Sequence, residues 1–198
     1  MRRIVVYNWM TADGYFAGPD GSLDWVKQDK DIDRDAMASR SKFDTVLLGR
    51  RTYELMAAFW AHALDDPSTK GSPHGDQPLS PDQRAMAVFL NDAKKIVFSK
   101  SLKKPEWKNT RVMEDIDPGK IEELKRERGD DMILFGSGSV VTRLTEQRLI
   151  DEYQFVVCPV ILGSGRSMIS GSLTRLKLDL KDAKKYSSGN IMLRYTPA

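Results

Sequence analysis

Short apolar runs that stop at a glycine recur along this chain, and they restrict its possible folds more than any other feature. Thr45-Val46-Leu47-Leu48 stops at Gly49, and Ile133-Leu134-Phe135 stops at Gly136. The run through Phe155, Val156, Val157 and Cys158 leads into a third glycine-bearing loop, residues 161–165. Runs this short, bounded by glycine and rich in β-branched residues, read as strands rather than helices. Arg3 to Met10 begins with Ile4-Val5-Val6-Tyr7, apolar without alternation, the pattern of a strand covered on both faces.

Amphipathic segments separate the strands. Asp31 to Lys42 places Ile32, Ala36 and Met37 on one side, with Phe43 just beyond. The segment after Gly49 offers Tyr53, Leu55, Met56 and Phe59 as an apolar face. Further helices are expected over residues 81–91, opened by Pro81, and over 118–128, closed by Gly129. Further strands are expected over residues 95–99 and 110–113, and a β-hairpin around Ser187-Ser188-Gly189 ends the chain. Strands alternating with helices imply an α/β fold with a mostly parallel sheet, flanking helices and right-handed crossovers. One domain spanning residues 1–198 suffices, with residues 63–81, rich in Asp, Ser, Pro and Gly, as a long surface loop.

Composition excludes several classes. A formal net charge of +3, spread along the chain, is not the clustered basic face of a nucleic-acid binder, so no nucleic-acid partner is expected. No apolar run approaches the roughly 18 residues of a membrane span, and the first residues lack a signal-peptide pattern, so a cytoplasmic protein without a membrane partner is expected. Cys158 is the single cysteine, inside an apolar run, and reads as a packing residue. His62 and His74 both lie in the polar stretch, so no metal site is expected.

The glycine turns carry the functional signal. In an open parallel sheet, ligands bind at the carboxyl ends of the strands, where these turns fall. Gly136-Ser137-Gly138-Ser139-Val140 lets backbone N–H groups at a helix start approach an anion closely. Arg50-Arg51-Thr52 puts two cations at another helix start, where the helix dipole disfavours them unless an anion binds. Ser99-Lys100-Ser101 repeats the theme, with hydroxyls and a cation in a turn. Together these turns suit one extended ligand with several phosphates, such as a dinucleotide carrying an extra phosphate. Val141 stands where the third glycine of a Rossmann fingerprint would be, so that motif is absent.

Thr11-Ala12-Asp13-Gly14, Gly49-Arg50-Arg51-Thr52-Tyr53-Glu54, Ser99-Lys100-Ser101-Leu102, Gly136-Ser137-Gly138, and Asp151-Glu152 through residues 159–165 resemble, in that order, the dihydrofolate-reductase-like superfamily. They resemble most the reductase domain of the bacterial bifunctional riboflavin-biosynthesis deaminase-reductase. The resemblance covers nearly the whole chain. It implies a dihydrofolate-reductase-like fold, NADPH as cofactor, a small-molecule substrate that is a heterocycle or ribosylamine, and a homodimer. It also implies that Arg50, Arg51 and Thr52, after Gly49, hold the 2′-phosphate and pyrophosphate. Ser99 and Lys100 would then lie beside the adenosine, and Gly136, Ser137, Gly138, Ser139 and Val140 would cradle the pyrophosphate. Thr11 and its loop would lie near the nicotinamide, and Ile161, Gly163 and Gly165 would line the substrate side.

Hydride transfer also needs a proton source. Dihydrofolate reductases carry a supporting carboxylate on the first helix, and Asp33 stands there, flanked by Asp31 and Asp35. Asp13 is the second candidate. Met168 and Ile169 replace an aromatic frequent in related chains. The expected activity is that of 5-amino-6-(5-phosphoribosylamino)uracil reductase, without the zinc deaminase half. Dihydrofolate reduction and nucleotide binding without catalysis are the alternatives.

Overall fold

The computed structural model describes residues 1–27, 29–65, 78–171 and 175–198. In chain order the elements are β1 (Ile4–Thr11), β2 (Tyr15–Ala17), α1 (Lys30–Ser39), β3 (Phe43–Gly49), α2 (Arg50–Trp60), α3 (Pro81–Asp92), β4 (Lys94–Phe98) and β5 (Thr110–Met113). Then follow α4 (Pro118–Arg126), β6 (Asp131–Phe135), α5 (Gly138–Glu146), β7 (Glu152–Cys158), β8 (Arg166–Ser167), β9 (Leu178–Lys185) and β10 (Ile191–Pro197).

Eight strands form one sheet in the order β5-β4-β3-β6-β1-β7-β10-β9. The first six are parallel, and β10 runs antiparallel to β7 and to β9. The expected α/β architecture with a closing hairpin is therefore present. β1 lies at the centre, and successive residues serve opposite faces, as strand geometry requires. Ile4 and Val6 pack with Ile121 and Leu124 of α4 and Val141 and Leu144 of α5. Val5 packs on the other face with Tyr53 of α2 and Leu90 of α3. α1 joins that second face through Ile32, beside Tyr7 and Trp9. Full burial of Ile4, Val5 and Val6 contributes about 2 kcal/mol each, which anchors the sheet where both layers meet.

Two departures from the sequence expectations have simple causes. Leu55 is 61% exposed rather than part of the apolar face of α2. Tyr53, Met56, Ala57 and Trp60 form the inward stripe, and Leu55 lies roughly 200° round the helix from Tyr53. A second, two-stranded sheet pairs β2 with β8, elements too short to show periodicity. The long loop expected at residues 63–81 is described only at its ends: Ala63 lies in the turn after α2, Pro81 opens α3, and residues 66–77 lie outside the described residues.

Candidate active site

Every parallel strand ends at the same edge of the sheet, so the strand order fixes the spatial order of the turns. Ser99 follows β4, then come Gly49 at the end of β3, Gly136 after β6, and Thr11 at the end of β1, with the loop beyond β7 next to it. The chain leaves β3 for α2 on one face and leaves β6 for α5 on the other. The crevice between these neighbouring strands is thus the point where the winding reverses, the general ligand position in such sheets.

Helix starts at this crevice differ from the others. α1 is capped by the Asp29 carboxylate, α3 by a Ser80–Gln83 capping box, and α4 by the Asp117 carboxylate. α2 and α5 have no side-chain cap and no acidic residue in the first turn. Their first N–H groups therefore lack the intrahelical and capping partners that would satisfy them. The two starts also touch. A Cβ at Gly49 would overlap Ser137 Oγ, and one at Gly136 would lie 2.9 Å from Thr52 Oγ1. Gly136 further needs its positive φ of 58°, and Ser137 follows in the left-handed region at φ 55°. Only glycine permits this approach of two turns.

Around the crevice, the Arg50 guanidinium is exposed and 3.2 Å from Glu54 on its own helix. Arg51 is exposed and makes no ion pair with any described residue. The Ser99 hydroxyl accepts N–H bonds from Ser101 and Leu102, closing its own turn at 3.2 and 3.0 Å. Lys100 reaches Asp115 at 3.2 Å on the surface. Exposed cations thus line one side of a cradle of backbone donors, a donor set that fits an extended phosphate ligand.

Next to it, the Thr11 hydroxyl donates to Asp13 at 2.6 Å and accepts from the Tyr15 N–H at 3.0 Å. Asp13 also accepts the N–H groups of Leu162 and Gly163, at 3.1 and 2.8 Å. The Thr11 hydroxyl, with those two amides, holds the Asp13 carboxyl below its usual range. Asp13 is a fixed, ionised strut joining two loops. Gly165 lies against the Ala17 carbonyl and the Tyr15 ring, whereas Ile161 projects into solvent.

Asp33 lies on α1 between Ile32 and Met37, both buried, so its position falls inside the arc that faces the sheet. The Tyr7 phenol beneath α1 is raised above its ordinary pKa, first by burial and then by Tyr186, Asp33 and Asp35. Asp35 accepts from the Tyr186 hydroxyl at 2.7 Å and pairs with Lys184 at 2.5 Å. Sequence reading missed Tyr7 and Tyr186. It also missed Asn8, a buried amide in an apolar strand, although a lone amide there must find polar partners. Burial pushes the Cys158 thiol up, consistent with packing.

A model of the RibD C-terminal domain matches residues 2–192. The chain belongs to that family. It is 25% identical over 201 residues to the uncharacterized protein YyaP of Bacillus subtilis (strain 168), covering 98% of this chain and 94% of that one. It superimposes, at a TM-score of 0.67 and 17% identity, on the diaminohydroxyphosphoribosylaminopyrimidine deaminase/5-amino-6-(5-phosphoribosylamino)uracil reductase of Thermotoga maritima, covering all of this chain and 57% of that one. With a dihydrofolate reductase from Enterococcus faecalis complexed with NADP(H), the TM-score is 0.60 at 12% identity, covering 98% and 96% of the two chains. The fold is dihydrofolate-reductase-like, and the family is one of reductase-type domains.

Proposed function

We propose that this protein is an NADPH-dependent reductase that delivers hydride to a heterocyclic or ribosylamine substrate like 5-amino-6-(5-phosphoribosylamino)uracil. The observation that carries the reading is the pair of uncapped helix starts pressed together at the β3–β6 crevice, with two arginines on the first. The family and the NADP(H) complex of a structural neighbour point the same way.

In this reading the N–H groups of residues 138 and 139 and the start of α2 receive the pyrophosphate, while Arg50 and Arg51 receive the 2′-phosphate, as paired guanidiniums suit. Ser99 and Lys100 border the adenosine. NADPH supplies the hydride when bound. The Thr11–Asp13–Gly163 tether fixes the loop wall beside the nicotinamide, and residues 161–165 border the substrate. Asp33, whose charge acts on the Tyr7 phenol beneath α1, supports protonation of the reduced product. Asp33 is preferred to Asp13 because its position on α1 falls inside the arc that faces the sheet, whereas Asp13 joins two exposed loops.

The test of the cofactor is direct titration of the protein with NADPH and NADH. NADPH is expected to bind at least about tenfold more tightly, because a charge-assisted pair contributes roughly 1.5–3 kcal/mol. Equal affinities would sink the assignment. Asp33→Asn should lower the reduction rate by about a hundredfold or more while leaving NADPH affinity unchanged, as loss of a group that assists proton transfer does. A second reading, dihydrofolate reduction, is favoured by the inward position of Asp33 on the first helix. Turnover of dihydrofolate but of no pyrimidine would select it.

A further inference from the structure

Asn8 sits in the middle of β1, 4% exposed, on the face covered by α5. The pairing of β1 with β6 ends at Tyr7 opposite Phe135. One residue later the Gly136 N–H, which would otherwise continue the ladder, donates to Asn8 Oδ1 at 2.8 Å. A side-chain amide thus replaces the backbone carbonyl at the point where β6 turns into the glycine-rich loop. The orientation of the amide is forced, since an N–H can meet only the oxygen end. Asn8 Nδ2 then points the other way and donates to Met168 Sδ at 2.8 Å.

Met168 is buried just beyond β8, and its carbonyl accepts the Thr142 hydroxyl of α5 at 3.4 Å. The Ser170 N–H returns to the same hydroxyl at 3.3 Å. A Cβ at Gly138 would come within 2.9 Å of the Phe16 ring and 3.1 Å of the Ser167 and Met168 carbonyls. The β2–β8 ribbon therefore rests directly on the first turn of α5. One buried amide contacts both the loop that launches this turn and the segment lying over it.

We propose that Asn8 is a positioning residue for dinucleotide binding: through Gly136 it sets the N–H groups of the α5 start, and through Met168 it fixes the ribbon above them. This rests on the dinucleotide reading given above. Asn8 acts on the pyrophosphate cradle, which NADPH and NADH share, and not on the 2′-phosphate. Its loss therefore weakens both cofactors by the same factor, whereas loss of the arginines changes their ratio.

The experiment compares NADPH and NADH dissociation constants for wild type, Asn8→Ala and Asn8→Asp between pH 5 and pH 8, with thermal melting of each. Asn8→Ala should weaken both cofactors about tenfold, the scale of one buried donor left unpaired, with the NADPH/NADH ratio unchanged. Asn8→Asp keeps the shape, so it remains informative should Asn8→Ala fail to fold. Protonated, its carboxyl accepts from Gly136 and donates to Met168, and affinity approaches wild type at the acid end. Ionised, it loses the donor and sets a negative charge beneath the cradle, so affinity falls as pH rises, on a profile wild type does not follow. Wild-type affinity in both variants across the range, in a protein that binds NADPH, overturns the role of Asn8 alone. Absence of NADPH binding by the wild type overturns the cofactor reading and this role together.

Discussion

The two edges of the central sheet are built from similar residues and treat them in opposite ways. At the amino edge, charges are saturated. The buried Arg2 guanidinium meets Asp44, the Thr45 hydroxyl and the Asp130 carbonyl. Lys95, 1% exposed, donates to the carbonyls of Leu90 and Ala93 at 2.7 and 2.9 Å and sits 4.7 Å above the Trp107 ring. Lys125 bonds Asp151 and the Leu149 carbonyl, and Glu152 meets Arg3, Arg194 and Gln154. At the carboxyl edge, two helix starts keep bare donors, and Arg50 and Arg51 are exposed. A cation buried with all its partners contributes to the fold; a cation held beside unsatisfied donors is available to a ligand. The difference lies in completeness of pairing rather than in residue type.

The comparison breaks if a change at either edge crosses to the other's readout. The largest effect is expected from Arg2→Met, which removes a buried cation and leaves Asp44 short of its partner. Chemical unfolding should show a loss of about 3 kcal/mol with NADPH affinity within twofold of wild type. A parallel loss of affinity would join the two edges.

Next in size is the pH response of Lys95. Burial, and after it the nearby Lys108, lowers its pKa from 10.5 to about 8. Between those values the unfolded chain binds the extra proton, so stability rises as pH increases from 8 toward 10.5. Above 10, the folded state holds Tyr7, Tyr153 and Tyr186 protonated while the unfolded phenols ionise, so stability then declines. Urea unfolding between pH 8 and pH 10 should therefore move in favour of the wild type by about 2 kcal/mol relative to Lys95→Met, in which the lysine contribution is absent. Equal slopes in the two proteins would refute the perturbed lysine.

At the carboxyl edge, the Arg50→Ala/Arg51→Ala double variant should lose most of the NADPH-over-NADH preference, about tenfold, with an unchanged melting temperature. A large drop in melting temperature instead would show these arginines to be structural. The smallest effect concerns Glu152. Burial works against its ionisation, but bonds from Gln154 and Arg194 and the charge of Arg3 hold its pKa below 4.5. Its contribution is present above that value and is lost as pH falls through the lowered one. Glu152→Gln should flatten the acid limb of the stability curve.

The parallel sheet was readable because its strands are short, apolar-rich runs, two of which, β3 and β6, stop at a glycine. Order along the sheet was not, since it depends on crossovers that place β6 between β3 and β1. The residues proposed to meet phosphate were legible as cations and hydroxyls at strand ends and helix starts, where the dipole makes cations unfavourable without an anion. The contacts of Asp13 and Asn8 were not: between them they reach partners 128 to 160 residues away, at Gly136, Leu162, Gly163 and Met168. Leu55 misled because hydrophobicity alone does not say which side of a helix turns inward.

The contact between Gly49 and Ser137 also bears on how such a chain can drift through mutation. Position 49 tolerates no added bulk while residue 137 stays as it is, since the methyl group of an alanine at 49 would occupy the space of the serine hydroxyl. A substitution at 49 becomes acceptable only after residue 137 has shrunk. The order of such changes is therefore constrained, and the two sites should co-vary among descendants that keep both turns.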